Sequence, residues 1–194
     1  MRILPLAALV GLASLPGCVT DEAAAPTMQP TFYVSMAEEN ATVDAESAAS
    51  MISDYRNNSG LGTVEVDPQL MRIAMDHARA MAANDKVDPS AGHEFSERLI
   101  SAGFDGKVSV ENVGAGYHTL AEAFSGWRDS PSHRANMLKA GVNRLGIAAV
   151  YARRSKYKVF WALILAAQGD PEAEGGPACI PPAVCEKKKR DTHG

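Results

Sequence analysis

A nearly continuous apolar run towards the end of the chain constrains the fold more than any other feature. Residues 158–168, KVFWALILAAQ, offer almost no polar side chain to water. A strand of this composition is covered on both faces, so it is predicted to be central in a sheet. The β-rich run over residues 144–153 precedes it, and a polar turn around Ser155 separates the two. This arrangement predicts an antiparallel hairpin, and a third strand is predicted over residues 107–113.

Periodic apolar positions predict two helices in the first half of the chain. The pattern becomes helical around Asp44 and ends in a turn-forming cluster, Asn-Asn-Ser-Gly, at residues 57–60. The second helix begins at Asp67, which is a good N-cap, with Pro68 in the first helical position. The apolar residues of each helix recur on one face, which is typical of an amphipathic helix.

Two further helices are predicted between the second helix and the hairpin. The first covers residues 94–102 and ends at Gly103. The other begins at a T-x-x-E capping box formed by Thr119 and Glu122. It is predicted to end before Pro131, because a proline disfavours helical geometry in the residue before it.

The composition fits a single globular domain. The chain has 194 residues, of which 46% are apolar and 22% are charged, and this is enough to bury a core. The domain is assigned to residues 44–168. The formal net charge of −4 gives no electrostatic footprint for nucleic acid, so a nucleic-acid partner is not expected.

The N-terminal segment is typical of a bacterial export signal. Arg2 is followed by a short apolar run that is too short to span a bilayer. The sequence LPGC at residues 15–18 resembles a lipobox, which predicts a signal peptide over residues 1–17 and lipidation of Cys18. Residues 18–43 are predicted to be a flexible tether. Val19, rather than Asp, after the cysteine favours the outer membrane, facing the periplasm or the cell surface.

The remaining cysteines lie in a polar tail over residues 169–194. Cys179 and Cys185 are an even pair in an oxidising compartment, so a local disulfide is predicted. Their spacing is unlike that of a zinc knuckle or a C-x-x-C redox motif. The tail has too little apolar composition to fold alone and is predicted to be disordered.

Three polar residues indicate a site in the middle of the chain. His93 follows Gly92, Glu111 precedes a G-A-G turn, and His133 follows Pro131. Binding residues often lie on such loops, held by a rigid frame. His77 falls on the apolar stripe of the second helix, and we interpret it as a core histidine with local hydrogen bonds.

The motifs around these residues resemble a known family. The order GH, SERL-x-x-AG, EN-x-x-x-G and W-x-x-SP-x-HR-x-NML, followed by GIA and an aromatic strand, resembles the bacterial branch of the CAP superfamily. That superfamily includes cysteine-rich secretory proteins, antigen 5 and plant pathogenesis-related proteins. The resemblance covers residues 45–168. It implies an α+β fold, an α-β-α sandwich with a three-stranded antiparallel sheet between helices.

The resemblance also implies a shallow cleft lined by two histidines and two acidic residues. His93, Glu111 and His133 match three of these positions. The fourth is not matched cleanly, because other branches carry a Glu after the tryptophan where this chain has Trp127-Arg-Asp. Asp129 is therefore the candidate for the fourth cleft residue.

Two kinds of chemistry are open for such a cleft. Two imidazoles and a carboxylate suit zinc or a similar divalent metal and leave a position for water. A purely structural hydrogen-bonded cluster is the alternative. Ser130 and Ser132 lie near His133, but the G-x-S-x-G elbow and the H-E-x-x-H motif are absent. A metal-dependent or serine hydrolase is therefore the second functional class, with no catalytic residue assigned.

The resemblance implies a binding role above all. CAP proteins are associated with sterols, fatty acids or envelope partners, without an agreed enzymatic activity. The first prediction is therefore an exported, membrane-tethered, non-enzymatic module that binds a lipid, a small hydrophobic molecule or a cell-envelope component. A structural or host-interaction surface is the third possibility, and the oligomeric state is left open.

Overall fold

A computed structural model describes residues 30–104, 106 and 108–167 of the chain. Within this part, no helix is both long and apolar enough to cross a membrane. The elements follow in this order: a 3-10 turn Thr31–Tyr33, α1 Ala45–Asn57, β1 Glu65–Val66, α2 Pro68–Asn84, α3 Phe95–Ser101, β2 Ser109–Ala115, α4 Leu120–Asp129, α5 Pro131–Met137, β3 Arg144–Tyr151 and β4 Val159–Ala166.

The sheet has four strands in the order β1-β3-β4-β2. β4 pairs antiparallel with β3 and with β2, as the hairpin and the third strand predicted. The fourth strand, β1, was not predicted from the sequence. It pairs in parallel with β3, with Glu65 opposite Arg144. The sheet is therefore mixed and four-stranded, whereas the family resemblance implied three antiparallel strands. A two-residue strand is too short to leave a periodic pattern in the sequence.

The central strand β4 is buried along its whole length. Alternate side chains enter different cores, because successive residues of a strand point to opposite faces. Trp161, Leu163 and Leu165 pack on the side of α1 and α4. Phe160 and Ile164 pack on the side of α2 and α3. The α-β-α layering that the family resemblance implied is thus present, with β4 at its centre.

The predicted helix starts are confirmed, with one difference in detail. The carboxylate of Asp67 accepts hydrogen bonds from the backbone N–H groups at the start of α2. At α4 the hydroxyl of Thr119 accepts from the backbone N–H of Glu122. The side chain of Glu122 accepts from the backbone N–H of His118, rather than from that of Thr119 as in a standard capping box.

The packed domain begins earlier than the predicted boundary at residue 44. Met36 and Val43 are buried in the core shared with α1 and α4. The backbone N–H of Met36 also donates to the carbonyl of His118. Residues 36–43 were assigned to the flexible tether because they lack periodicity, but isolated apolar residues dock here on a surface formed by distant parts of the chain.

A glycine allows α2 to lie close to the sheet. A Cβ atom at Gly146 on β3 would overlap the backbone of Leu70 on α2. No side chain other than hydrogen fits at this contact, so Gly146 sets the distance between the helix and the sheet. This distance places α2, with His77 on its buried face, directly above the strands.

A buried arginine joins α1 to the segment between α5 and β3. The Arg56 side chain donates from Nε to the carbonyl of Gly62 at 2.9 Å, and from Nη1 to the carbonyls of Met137 and Lys139, each at 2.9 Å. Nη2 donates to the carbonyl of Val142 at 3.2 Å. Burial lowers the pKa of this guanidinium. The planar group thus satisfies four backbone acceptors at once.

We expect Arg56→Lys to lower the free energy of unfolding by about 3 kcal/mol. A single ammonium group keeps the charge but cannot reach carbonyls that lie around the whole guanidinium fork. Urea unfolding followed by circular dichroism measures the change. Arg72→Lys on the exposed side of α2 is the matched control and should leave the midpoint unchanged. Equal midpoints for the two variants would contradict the role of Arg56.

Candidate functional site

Glu111 lies at the centre of a buried polar cluster between the sheet and the α2–α3 layer. It sits on β2, and its side chain is only 7% exposed. Oε1 is 2.8 Å from Nδ1 of His77 on α2. Oε2 accepts a hydrogen bond from Nη2 of Arg98 on α3, also at 2.8 Å. Each carboxylate oxygen is therefore already engaged by a partner from a different helix.

The partners of His77 determine how many protons the cluster holds. Nε2 of His77 is 3.0 Å from the backbone carbonyl of Asp88, which can only accept, so Nε2 carries a hydrogen. The hydrogen bond between Nδ1 and Glu111 needs a second hydrogen, carried by one of those two groups.

Arg98 is also buried in the cluster. Its side chain is 9% exposed, and its guanidinium carbon lies 5.5 Å from the centre of the Phe95 ring. Burial lowers the pKa of Arg98, and the charge of Glu111 opposes that effect. Nη2 also donates to the carbonyl of Pro89. Nε and Nη1 are shielded from water and have no acceptor among the described residues.

Two asparagines attach α5 to β2 beside this cluster. The Asn136 amide donates to the backbone carbonyl of Glu111 and to the side-chain oxygen of Asn112, both at 2.9 Å. The Asn112 amide in turn donates to the backbone carbonyl of His133. These bonds give a physical reason for the EN and HR-x-N motifs, because they fix the helix that carries His133 against the strand that carries Glu111.

His133 lies in α5 and not in a loop as predicted. Pro131 does end α4, because Ser130 is extended, but the same proline then begins a new short helix. Burial lowers the pKa of His133, which favours its neutral form at neutral pH. The hydroxyls of Ser130 and Ser132 lie 3.4 Å apart and bond to each other. They form no described hydrogen bond with the imidazole, so a Ser-His pair is not assembled here.

His93 lies in the loop before α3, as predicted, and is open to solvent. Its side chain is 75% exposed, and Nδ1 is 3.7 Å from a carboxylate oxygen of Glu97. Asp129, the candidate for the fourth cleft position, ends α4 and is also exposed. Its carboxylate accepts a hydrogen bond from Arg128 at 3.0 Å. The described contact of Asp129 is therefore with its neighbour on α4, and not with a residue of the cluster.

No described hydrogen bond or ion pair joins the three residues predicted as metal ligands to one another. Across residues 30–104, 106 and 108–167, no three or more His, Cys, Asp or Glu side chains are grouped so that they could hold one. Glu111 is engaged by Arg98, whose positive charge opposes a cation at the same oxygens. Its imidazole partner is His77 rather than His93 or His133. The described contacts of Glu111 are thus with other residues, and the metal site at His93, Glu111 and His133 remains a prediction from the sequence.

Two members of the cluster were not predicted from the sequence. His77 was interpreted as a core histidine with local hydrogen bonds; it is buried as expected, but Glu111 is 34 residues away in sequence. Arg98 belongs to the SERL motif, which was noted without a role for the arginine. An arginine on the inner face of a short helix could have indicated the buried cluster. A buried guanidinium requires a carboxylate or several carbonyls as partners.

A cavity of about 330 Å³ lies next to the cluster, between α2 and α3. This volume is at the lower end of the range for small-molecule sites. Its lining is mostly apolar and includes His77 and Arg98 from the cluster and His93 at the loop. The other lining residues are Ile73, Asp76, Ala80, Ala91, Gly92, Ser101 and Ala102.

The predicted lipidation and disulfide sites cannot be placed in this structure. Cys18, Cys179 and Cys185 lie outside the described residues, as do the predicted signal peptide and the C-terminal tail. These assignments therefore remain predictions from the sequence.

Comparison with known proteins identifies the family. Residues 49–165 match the CAP family, described as the cysteine-rich secretory protein family, and the chain therefore belongs to it. The uncharacterised protein YkwD of Bacillus subtilis is 24% identical over 134 residues, which are 68% of this chain and 52% of that protein. The chain thus spans about half the length of this curated relative.

Solved bacterial structures share the fold. An outer surface protein of Borrelia burgdorferi has a TM-score of 0.57 at 17% identity, over 66% of this chain and 98% of that one. An extracellular protein with an SCP domain from Bacillus anthracis has a TM-score of 0.56 at 20% identity, over 63% and 40%. A cysteine-rich secretory protein from Staphylococcus aureus has a TM-score of 0.53 at 17% identity, over 63% and 38%.

We expect Glu111→Gln to destabilise the protein by about 3 kcal/mol, because Arg98 would lose the carboxylate that compensates its buried charge. The side-chain volume is unchanged, so the loss reports the charge and its hydrogen bonds. Chemical denaturation at neutral pH measures the change. Glu97→Gln, which neutralises an exposed carboxylate on α3, should have little effect. If both variants unfold at the wild-type midpoint, the buried pair does not contribute to stability.

Proposed function

We propose that this protein is an exported, non-enzymatic binding module that holds a small apolar ligand in the cavity between α2 and α3. The observation that carries the proposal is the position of an apolar cavity beside a polar cluster with no free nucleophile. The engaged Glu111, together with the mutual bonding of Ser130 and Ser132, gives no support to a hydrolase.

The walls of the cavity define the size and character of the ligand. Ile73 and Ala80 from α2 line it together with Ala91 and Ala102, and most of the lining surface is apolar. Small side chains on both sides leave space that larger ones would fill. A compact apolar ligand would remove this surface from water. Burial of apolar surface contributes about 25 cal/mol per Å² to the free energy of binding.

Filling the cavity should weaken binding in a protein that still folds. Ala80→Leu places a larger side chain on the α2 wall, and we expect it to weaken binding of a neutral probe, cyclohexylmethanol, by at least about tenfold. Titration of isotope-labelled protein followed by NMR, without added metal, measures the dissociation constant.

Ala83→Leu is the matched control, because Ala83 lies on the same helix, is exposed and does not line this cavity. It should bind the probe as wild type does. Absence of probe binding in the wild type, or equal binding by both variants, would refute the cavity as the ligand site. Binding that appears only after zinc is added would favour the metal-dependent alternative.

Export and membrane attachment are part of the same proposal. They are supported by the LPGC sequence at residues 15–18. They are also supported by the locations named for two proteins of similar fold, one an outer surface protein and the other extracellular. We propose that Cys18 is diacylated and that the domain functions outside the cytoplasm, at the outer membrane if the source has two membranes.

We expect Cys18→Ser to move the protein from the membrane fraction to the soluble fraction. The reason is that a thioether-linked lipid cannot form on serine, and lipid chains supply the membrane affinity. Fractionation of the source bacterium, with the intact mass of the wild-type protein, provides the measurement. Cys179→Ser is the control and should remain with the membrane. A wild-type mass without acyl chains would contradict the anchor.

A further inference from the structure

We propose that the outer edge of β3 accepts an extended peptide as an added strand, and that a basic side chain of this peptide contacts Glu38 and Glu39. The surface is a groove of about 600 Å³, here called the edge groove, lined by residues 38–42, by Met75 and Arg79 of α2, and by residues 149–151 of β3. It shares no lining residue with the cavity between α2 and α3, so the inference goes beyond the proposed function.

The strand β1 covers only the beginning of the outer edge of β3. Its two residues pair with the first two residues of β3, and the chain then enters α2 after Asp67. The next outward N–H group, that of Ile147, donates to the sulfur of Met71 at 3.2 Å. From there β3 continues to Tyr151, and no described strand lies beside it on this side.

The register of the sheet identifies the backbone groups that this edge leaves unpaired. The carbonyl of Val159 accepts from the N–H of Gly116, so odd-numbered residues of β4 bond to β2 and even-numbered ones to β3. Even-numbered residues of β4 lie opposite even-numbered residues of β3. The N–H and C=O groups of Ala149 and Tyr151 therefore point away from β4. They have no hydrogen-bond partner within the part of the chain that the structure describes.

These unpaired groups have the spacing that an extended peptide requires. In an antiparallel ladder every second residue exchanges two hydrogen bonds with its neighbour, and Ala149 and Tyr151 are two residues apart. An edge of this kind is a template for another strand, and addition of a peptide strand is a common mode of recognition. The main chain of the peptide would supply the affinity, because its donors and acceptors match those of β3.

The walls of the edge groove favour a single peptide over a second copy of the domain. Met75 and Arg79 lie one turn apart on α2 and form one wall, and residues 38–42 form the other. No described hydrogen bond joins residues 38–42 to β3, so the space between the walls is not bridged. In a second copy the same edge lies between the same walls, so the two edges could not approach each other. The flexible side chain of Met75 can adapt to different peptide side chains.

Two carboxylates give the edge groove a preference for a basic peptide. Glu38 and Glu39 line the groove and are exposed, and neither forms an ion pair with any residue that the structure describes. Arg79, on the opposite wall, is 3.6 Å from Asp76 on its own helix. A lysine or arginine of the peptide would therefore meet two carboxylates that have no other cation. Because these groups are exposed, the preference should weaken as salt is added.

Amide hydrogen exchange of the free, full-length protein, followed by NMR, tests the unpaired edge. We expect the amides of Ala149 and Tyr151 to exchange at least about tenfold faster than those of Ala148 and Val150, which bond to β4. Equal protection of the four amides would mean that another segment of the chain already covers the edge, and it would overturn the proposal. Protection that appears only as the protein concentration rises would assign the edge to a second copy and would also overturn it.

The peptide acetyl-Thr-Val-Lys-Val-Thr-amide, added to the full chain, tests the occupant. We expect it to slow exchange at Ala149 and Tyr151 and to shift their amide signals. The control is the same peptide with N-methyl groups on the lysine and on one adjacent valine, which blocks both edges of the peptide strand. It should bind at least about tenfold more weakly, because backbone hydrogen bonds are lost. Equal binding of the two peptides, or no binding of the first, would refute strand addition.

A charge-neutral double variant, Glu38→Gln with Glu39→Gln, tests the basic preference. At low salt it should bind the lysine peptide about threefold more weakly than the wild type, and a peptide with glutamine in place of lysine equally well. Glu97→Gln, which changes an exposed carboxylate of α3 outside the groove, is the matched control and should bind both peptides as the wild type does. Unchanged binding of the lysine peptide by the double variant would overturn the role of the two carboxylates.

Discussion

The burial of β4 on both faces is the constraint on which the rest of the structure depends. Eight successive residues of this strand are shielded from water, so the chain needs a layer of helices on each side of the sheet. One layer contains α1 and α4, and the other contains α2 and α3. The polar cluster lies between the sheet and the second layer, where the same close packing removes Glu111 and Arg98 from solvent.

The framework was predictable because each of its elements has a local signal. The run around Phe160 and Trp161 indicates a buried strand, and Asp67 and Thr119 mark helix starts by their capping chemistry. The short strand β1 was missed because its pairing depends on where β3 lies. The docking of Met36 was missed because a single apolar residue has no period.

The centre of the site was predictable only in part. Glu111 was found because it is a carboxylate among turn-forming residues in a motif. Its partners were not, because His77 has the periodic position of a core residue and Arg98 looks like an ordinary charged residue of a short helix. Which imidazole meets Glu111 depends on how close α2 comes to β3, and that distance is set by a contact at Gly146. Such a contact joins two distant segments, and no window along the sequence contains both.

The four carbonyls held by Arg56 also bear on the order in which the chain assembles. Three of these hydrogen bonds join residues that are 81, 83 and 86 positions apart. Closing so long a loop has a large entropic cost before any contact compensates for it, so such bonds are expected to form late in folding. A bond that is absent from the transition state mainly retards unfolding and has little influence on the folding rate. Arg56 is therefore expected to extend the lifetime of the folded domain more than it hastens its formation.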